Sequence, residues 1–459
     1  MKSKLQGLLQ SSARIILLVI AIYACCVARI ANFKKNIVVH DIIYYYSYLT
    51  AYFIKHDLKL DFLAKEPAHQ NRYWHNTAPN GGKVFKMSMG IAYLYAPFFL
   101  LGHISAIATG SVQDGFSLPY QIFLAFSSVF YVFIGFLLVR KVLMRYFDEI
   151  TVSFVILLLG LGTNLMYYVI NEGPMSHAYN FFLFSAALYL TIRWHEHASL
   201  LRSILLGFSL GLIVLARPSN APVILIPLLY NIYNKQSLLI KIKYITNYWY
   251  MLIPLVFAAA IVFVPQLYYW KLVTGQWFFY SYVGEKFFFN NPHILETFLS
   301  WRKGLFIYTP VMLFSYLGLL LLHKYAKHYL LMILAFMAVH IFIVSSWWCW
   351  WYGGSFGLRA YIDSYPIMAL PLAAFIEYFR KHKIVFWRYK TWIGFGFLVL
   401  LNLFQTRQYI KGIIHYDSMT RKAYIRLLGK NGCPPDYWSL LKTPDLDKAL
   451  KGQDEYKWD

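Results

Sequence analysis

Apolar runs long enough to cross a lipid bilayer recur along almost the whole sequence. A helix needs about 20 apolar residues to span a hydrocarbon layer of about 30 Å, and such runs recur from Ile15 to the neighbourhood of Gln405. The chain has 459 residues, is 59% hydrophobic and is only 14% charged, which is too apolar for a water-soluble protein of this length. The sequence therefore predicts an all-α polytopic membrane protein and excludes a soluble fold.

Eleven of these runs predict a bundle of about 11 to 12 transmembrane helices. They cover roughly residues 12–31, 118–139, 151–170, 177–192, 200–216, 219–233, 250–270, 305–322, 329–346, 362–379 and 391–409.

The apolar segment 87–109 is treated separately, because basic residues concentrate in short cytoplasmic loops. A full crossing by this segment would leave Arg140, Lys141 and Arg145 on the outer side. We therefore expect 87–109 to enter and leave the membrane on the outer side.

The basic residues indicate orientation rather than a nucleic-acid surface. The formal net charge is +23, but the lysines and arginines lie between the apolar runs and form no continuous face. The cysteines, Cys25, Cys26, Cys349 and Cys433, match neither a disulfide framework nor the spacing of a zinc site. We predict no nucleic-acid partner and no structural metal.

One membrane domain, residues 1–409, accounts for most of the chain. It carries two large external loops, 32–87 with juxtamembrane helices and 271–304. The tail, 410–459, is too short to bury an independent core. We expect the tail to lie on the outer mouths of the helices.

The predicted helix interiors hold few ionisable groups, with His103 and His340 as the exceptions. Ion-coupled transporters normally carry carboxylates or basic groups at mid-membrane depth. This pattern argues against transport and directs attention to polar residues at the external rim.

Asp41 stands at the start of a predicted interfacial helix in which Ile42, Tyr46, Leu49 and Phe53 recur at helical spacing. One interpretation makes Asp41 only an N-cap of that helix. The other makes it a general base at the membrane surface, and the two are compatible.

Lys83 and Lys86 follow paired glycines and lead into segment 87–109. A lysine at this depth commonly extends its ammonium group to the head-group layer without further function. A phosphate held at the edge of the lipid would, however, require such a cation.

Arg217, in the sequence RPSN, lies between apolar runs of only about 17 and about 15 residues, which reach about 25 Å or less. The turn is therefore expected below the outer surface, where an arginine needs a carboxylate, carbonyl groups or a ligand anion.

Arg359 follows WWCWWYGGSFG, which we interpret as a flexible glycine turn that presents one cation near the lipid surface. The tryptophans alone are explained by an aromatic belt. Glu172 and His177 fall on a short external loop, where Ser176 as a helix cap is the alternative.

These motifs resemble the GT-C glycosyltransferases, in particular bacterial relatives of protein mannosyltransferases and of the lipid A aminoarabinose transferase. The resemblance covers most of residues 10–410. It consists of an external aspartate heading an interfacial helix, a lysine entering segment 87–109, an Arg-Pro pair after a short helix, and WYGGSFGLRAYID before a late span. The Gly-Gly-Ser-Phe-Gly-x-Arg motif is its most specific part.

The resemblance implies a hexosyl- or pentosyltransferase that uses a polyprenyl-phosphate sugar. Transfer would invert the anomeric centre and deliver the sugar to a hydroxyl of a lipid, glycan or protein. Asp41 would be the base, and Lys86 and Arg359 would meet the donor phosphate, with Arg217 as a further cation there. The site would lie on the outer face of a bacterial inner membrane.

The remaining candidates, His40, Glu172, His177 and Lys83, are expected to support the site or the acceptor. Many family members carry a second acidic residue where this chain has His40 or Phe85. Dependence on a divalent metal is therefore left open, and no other cofactor is predicted.

Two other classes of function remain as alternatives. A lipid-linked substrate transporter or flippase would need no general base, and a membrane scaffold would need no donor. The aromatic stretch 277–289 is interpreted either as a lid or acceptor surface or as an interfacial anchor.

Overall fold

The computed structural model describes residues 11–32, 36–382, 385–456 and 458, without the side chains of 30–32, 67, 385, 387 and 388. Nearly all of the regular secondary structure in the described chain is helical. Its α-helices are α1 Ser12–Asn32, α2 Asp41–Leu49, α3 Gly90–Ala108, α4 Leu118–Leu143, α5 Glu149–Leu161, α6 Leu165–Ile170, α7 Ser176–Glu196, α8 Leu200–Ala216, α9 Leu225–Leu229, α10 Lys235–Asn247, α11 Leu252–Ile261, α12 Val264–Thr274, α13 Ile294–Leu299, α14 Leu305–Tyr308, α15 Val311–Ala326, α16 Leu330–Ser345, α17 Tyr365–Arg380, α18 Val385–Ile410, α19 Arg421–Leu427 and α20 Leu446–Leu450.

Short turns and one small sheet connect the helices. A π-helical turn, Thr50–Ile54, extends α2, and the strands β1 Asn76–Thr77 and β2 Lys83–Val84 pair antiparallel. The 3-10 turns are Asp61–Ala64, Pro67–Arg72, Pro218–Ile224, Trp249–Met251, Lys327–Tyr329, Arg359–Ser364 and Tyr437–Leu440.

The prediction of an all-α membrane protein is confirmed. Among the described residues, five helical stretches are long and apolar enough to cross a membrane: Ser12–Arg29, Gly90–Ala108, Leu118–Leu143, Trp249–Thr274 and Val311–Ser345. Further helices lie where the other spans are predicted, but they are shorter or more polar. The total number of crossings therefore stays a prediction.

Helix α17 occupies the centre of the bundle, since every residue from Tyr365 to Glu377 is buried. It packs most extensively against α15. A side chain at Gly318 of α15 would place its Cβ 1.9 Å from the carbonyl oxygen of Pro371. Glycine at this position therefore permits the close approach of the two helices.

The two ends of the bundle carry different polar groups. At one end, Arg140 at the end of α4 pairs with Glu149 at the start of α5, and Arg380 at the end of α17 pairs with Glu377. The opposite end carries Asp41, Arg217 and Arg359. The predicted cytoplasmic basic residues and the predicted site residues thus lie at opposite ends of the helices.

The segment predicted to enter and leave the membrane is largely one continuous helix, α3. Its contacts with α4 lie along the first half of that helix: the Tyr131 hydroxyl donates to the Leu94 carbonyl (3.0 Å), and the ring of His103 lies beside that of Tyr120. The helix therefore does not turn back within itself. Its orientation in the bilayer stays a prediction.

Candidate functional site

Asp41 is the first residue of α2, and its carboxylate pairs with a distant arginine. The N-cap position belongs to His40, and no side chain there accepts a capping hydrogen bond. Asp41 Oδ2 instead accepts a hydrogen bond from Arg359 Nη2 at 3.2 Å, across 318 positions of sequence. The interpretation of Asp41 as merely an N-cap is therefore wrong.

His40 places this carboxylate through an uncommon backbone conformation. Its φ of 53° lies in the left-handed region, which a residue with a Cβ rarely adopts. Such conformations persist where the surrounding structure enforces them and cluster at functional sites. The backbone turns sharply at His40, directly before Asp41.

The loop that carries Arg359 is fixed, and the prediction of a flexible turn is wrong. Gly353 and Gly357 adopt positive φ, as the turn requires. Phe356, however, is fully buried; its amide donates to the Tyr168 hydroxyl (3.0 Å) and its carbonyl accepts from Asn164 (3.1 Å). Arg359 therefore projects from a well-packed loop.

The aromatic-belt interpretation of the preceding tryptophans is wrong for Trp350 and Trp351. Both side chains are fully buried. The guanidinium of Arg302 lies over both rings, at 5.7 Å and 5.1 Å from their centroids. These two tryptophans form part of the protein interior and support the loop.

Arg217 is held by a buried carboxylate. Its Nη1 atom lies 3.2 Å from Asp363 Oδ2, and Asp363 has no exposed surface. Asp363 also bonds with His177 Nδ1 (3.0 Å) and accepts from the amides of Asn180 (3.1 Å) and Asn220 (2.8 Å). This satisfies the requirement of a buried arginine for an anionic partner.

Lys86 pairs with Glu285, which lies in the second large external loop. The Lys86 ammonium also lies 5.4 Å from the centre of the Tyr282 ring. The pair is partly accessible, with side-chain exposures of 21% and 19%. An anion arriving from the membrane surface would therefore compete with Glu285 for this lysine.

Two tyrosines, the buried Tyr45 and the partly buried Tyr282, lie between these ion pairs and relate them to one another. Burial raises the pKa of Tyr45 to about 12; the charge of Asp41 adds to this shift, while Arg217 and Arg359 oppose it. Burial also raises the pKa of Tyr282, whose hydroxyl is influenced by Tyr45, Arg217, Asp41 and Glu285.

Asp41, Lys86, Arg217, Glu285 and Arg359, gathered around these tyrosines, are called the charged cluster below. The structure thus brings together the four residues that we predicted as base and phosphate-binding cations.

Arg359 keeps its positive charge although its side chain is largely buried. Burial lowers its pKa, but the negative charge of Asp41 and the nearby Glu172 outweigh burial and leave the pKa above its ordinary value. The guanidinium is therefore a permanent positive charge beside the predicted base.

The predicted supporting residues are placed unequally. Burial raises the pKa of Glu172, although the positive charges of Arg359 and His40 act to lower it. The Glu172 carboxyl group accepts a hydrogen bond from the Tyr167 hydroxyl at 2.9 Å. His177 belongs to the Asp363 network rather than to the acceptor side. Lys83 lies outside the cluster, because its ammonium donates to the Leu60 carbonyl (2.9 Å).

Sequence reasoning missed two carboxylates, Glu285 and Asp363. Glu285 is one of two acidic residues in loop 271–304, and this scarcity is the signal that could have identified it. Asp363 falls at the start of the predicted span 362–379, where no local pattern marks it as a partner of Arg217. In the part of the chain that the structure describes, no group of three His, Cys, Asp or Glu side chains could hold a metal ion.

No known protein family and no curated protein matches the sequence. Among solved structures, the chain is similar to the archaeal oligosaccharyltransferase AglB from Archaeoglobus fulgidus in complex with an inhibitory peptide and a dolichol-phosphate. The identity is 13% and the TM-score 0.48, over 92% of this chain and 58% of that chain. The apo form of the Archaeoglobus fulgidus oligosaccharyltransferase gives the same identity and TM-score over 92% and 59%. The chain thus spans less than two thirds of the length of these enzymes.

Proposed function

We propose that this protein is an integral membrane glycosyltransferase that transfers a sugar from a polyprenyl-phosphate donor to an acceptor hydroxyl. The observation that carries the proposal is the Asp41–Arg359 ion pair, whose side chains are 29% and 16% exposed. The pair lies at the end of the bundle opposite to Arg140 and Arg380. A carboxylate and a phosphate-binding cation thus lie side by side where a lipid head group arrives.

The donor phosphate is placed by the cations of the charged cluster. Phosphate binds arginine through charge-assisted hydrogen bonds, and Arg359 and Lys86 are the two cations whose carboxylate partners, Asp41 and Glu285, are themselves partly accessible. Arg217 is held more tightly by Asp363 and contributes mainly to the local positive potential. The leaving phosphate therefore departs toward fixed positive charge, which stabilises the transition state.

Asp41 acts as the general base. The acceptor oxygen attacks the anomeric carbon as its proton passes to the Asp41 carboxylate, and the bond from that carbon to the phosphate oxygen breaks. Polyprenyl phosphate leaves, and a single displacement inverts the anomeric configuration. Binding of phosphate to Arg359 would release Asp41 from its ion pair, so donor binding prepares the base.

We place this reaction on the outer face of a bacterial inner membrane. The orientation is supported by the basic residues at the opposite end of the bundle, among them Arg140 and Arg380, which by the positive-inside rule face the cytoplasm. The bacterial inner membrane is what the resemblance to bacterial GT-C enzymes implies.

A turnover assay tests the proposal against the flippase alternative. Purified protein in liposomes is given a radiolabelled polyprenyl-phosphate sugar, and release of the sugar from the lipid is measured beside lipid scrambling. We expect protein-dependent cleavage of the sugar–phosphate bond without scrambling. Scrambling without cleavage would establish the transporter class and overturn the proposal.

A further inference from the structure

Helix α10, Lys235–Asn247, is too short to span a bilayer and carries an unusual distribution of side chains. Its 13 residues reach about 20 Å, well short of a hydrocarbon layer of about 30 Å. It buries Ser237 and Lys241, while Leu239 and Ile242 are 57% and 49% exposed. A helix on a water-exposed surface buries its apolar side chains instead. The distribution in α10 therefore indicates an apolar environment outside the protein.

The buried side of α10 is tied to two neighbouring helices. The Lys241 ammonium donates to the carbonyls of Pro227 (2.7 Å) and Tyr230 (3.0 Å), in and directly after α9. The Tyr244 hydroxyl donates to the Trp194 carbonyl (2.7 Å), near the end of α7. These hydrogen bonds fix which sides of α10 point away from the protein.

Helix α10 lies at the end of the bundle opposite the charged cluster. Its contact residue Trp194 is near the last residue of α7, whereas His177, near the first, bonds with Asp363, the carboxylate that holds Arg217. The 21 residues of α7 reach about 30 Å. The thickness of a bilayer therefore separates α10 from Asp363.

The residues that follow α10 indicate its level relative to the lipid. The stretch Trp249–Thr274, long and apolar enough to cross a membrane, begins directly after this helix. Its first side chains, Trp249 and Tyr250, are both exposed. Tryptophan and tyrosine at the end of a span lie at the depth of the lipid head groups. Helix α10 therefore lies in the head-group layer.

The outward side of α10 has an apolar flank and a mainly polar flank. Successive residues of an α-helix are about 100° apart. Leu238 and Ile242 therefore share one flank, and Gln236 and Lys243 share the other, where Ile240 is the apolar exception; all five are exposed. The first flank suits acyl chains, and the second suits head groups and water.

Two lysines make this helix complementary to negatively charged lipid. Lys235 and Lys243 are exposed, and in the part of the chain that the structure describes neither ammonium forms an ion pair or a hydrogen bond. The helix itself contains no acidic residue. Basic side chains near a membrane surface are attracted to anionic head groups. The unpaired lysines therefore favour anionic lipid over a protein as the partner of the apolar flank.

We propose that α10 is an interfacial anchor for anionic lipid. Leu238 and Ile242 lie among the acyl chains, and the ammonium groups of Lys235 and Lys243 bind lipid phosphates of that leaflet, which is the cytoplasmic one in the proposed orientation. A protein partner or a second copy of this chain on the apolar flank is the competing outcome of the test. The inference does not depend on the proposed glycosyltransferase function.

The first arm of the test measures the depth of the apolar flank. A nitroxide spin label is attached to Ile242→Cys in the full-length protein, in a background in which Cys25, Cys26 and Cys433 are replaced by serine. Cys349 is buried and is kept. The same background without an added cysteine is the blank.

Collisions of the label with oxygen, which concentrates among acyl chains, are compared with collisions with a water-soluble nickel complex. The protein is in liposomes of phosphatidylcholine and phosphatidylglycerol. Relative to the nickel complex, oxygen should reach a label at Ile242→Cys several-fold more often than a label at Gln236→Cys, the matched position on the polar flank. Collisions dominated by nickel at both positions would overturn the inference. Shielding of the label at Ile242→Cys from both reagents would also overturn it, because protein would then cover the flank.

The second arm measures the preference for anionic lipid. Phosphatidylglycerol and phosphatidylcholine, each with a diazirine near the head group, are the probes, and light-induced labelling of peptides from residues 235–247 is measured. The wild type should be labelled more by the phosphatidylglycerol probe. Replacing both Lys235→Gln and Lys243→Gln should lower that labelling about fivefold or more, while labelling by the phosphatidylcholine probe changes less than about twofold.

The matched control removes the same charge at the other end of the bundle. Lys422→Gln with Lys430→Gln changes two exposed lysines of the tail and should leave the labelling of α10 by both probes unchanged. Equal labelling of wild-type α10 by the two probes would overturn the assignment of anionic lipid. An equal loss of labelling in the control variant would overturn it as well, because the two lysines of α10 would then have no special role.

Discussion

At the scale of single residues, the cations of the charged cluster are held by carboxylates from distant parts of the chain. Arg359 pairs with Asp41, Arg217 with Asp363 and Lys86 with Glu285. The three pairs differ in burial, because Asp363 is inaccessible whereas Asp41 and Glu285 are partly exposed. Under the proposed function, a lipid phosphate would therefore exchange with Asp41 and Glu285 but not with Asp363.

Glu285→Gln tests whether Glu285 competes with the donor phosphate for Lys86. Partly exposed ion pairs contribute up to about 1 kcal/mol, so the variant should bind polyprenyl phosphate about two- to fivefold more tightly. Binding is measured by titration in detergent. Glu296→Gln, in the same external loop, is the matched control and should bind as the wild type does. Weaker binding by Glu285→Gln would show that Glu285 orients Lys86 rather than blocking it.

The sequence predicted residues of this cluster better than it predicted their partners. Asp41, Arg217 and Arg359 stand out because a charge beside an apolar run needs a reason to be there. Their ion-pair partners could not be predicted, because Lys86 and Glu285 are 199 positions apart and Arg217 and Asp363 are 146 positions apart. No local pattern encodes such contacts. Lys83 and Lys86 look equivalent in sequence, and only the fold separates them.

At the scale of secondary-structure elements, the site depends on how closely α15 and α17 pack. Asp363 lies in the turn that leads into α17, so the position of that helix fixes the carboxylate that holds Arg217. Gly318 allows this packing because its Cα faces the backbone of Pro371.

Gly318→Ala should separate these helices and destabilise the protein by about 1 to 3 kcal/mol, as overpacking does. Gly394→Ala is the matched control, because within the described part of the chain no neighbouring atom lies within 4 Å of a Cβ placed there, and alanine favours a helix by about 1 kcal/mol over glycine. Thermal unfolding in detergent should give a lower midpoint for Gly318→Ala and an unchanged or higher midpoint for Gly394→Ala. The reverse order would contradict the packing argument.

Helical segments were predictable because the apolar runs are a local signal. The packing of the glycine-rich loop before Arg359 was not predictable, because glycines alone suggest mobility. The hydrogen bonds that hold Phe356 come from Tyr168 and Asn164, which are far away in the sequence. Burial of Trp350 and Trp351 could not be predicted either, because it depends on contacts with residues that are distant in the sequence. An interfacial tryptophan and a buried one have the same sequence signature until their neighbours are known.

At the scale of the whole molecule, the tail packs against the loop that carries Arg359. The Trp350 indole donates to Asp454 (3.2 Å), and the Trp301 amide donates to the Tyr456 hydroxyl (2.9 Å). Lys303, also buried, donates to the carbonyls of Ser355 and Tyr416. The tail thus contributes to the rigidity of the site although it supplies none of the cluster residues.

Asp454→Asn should weaken this contact. A buried hydrogen bond to a charged group contributes about 1.5 to 3 kcal/mol, so we expect a lower unfolding midpoint and a several-fold loss of sugar transfer as the Arg359 loop loosens. Asp447→Asn, also in the tail, should change neither quantity. Full activity of Asp454→Asn would show that the loop holds its shape without the tail.

The most direct test of the account measures binding and turnover on one sample of Asp41→Asn. We expect the variant to fold and to bind polyprenyl phosphate at least as tightly as the wild type, because Arg359 loses an internal anion. Sugar transfer should fall about 10²- to 10⁴-fold, the contribution of a general base. Asp61→Asn, an exposed aspartate in the same external loop, should match the wild type in both. Transfer by Asp41→Asn at the wild-type rate would contradict the central claim.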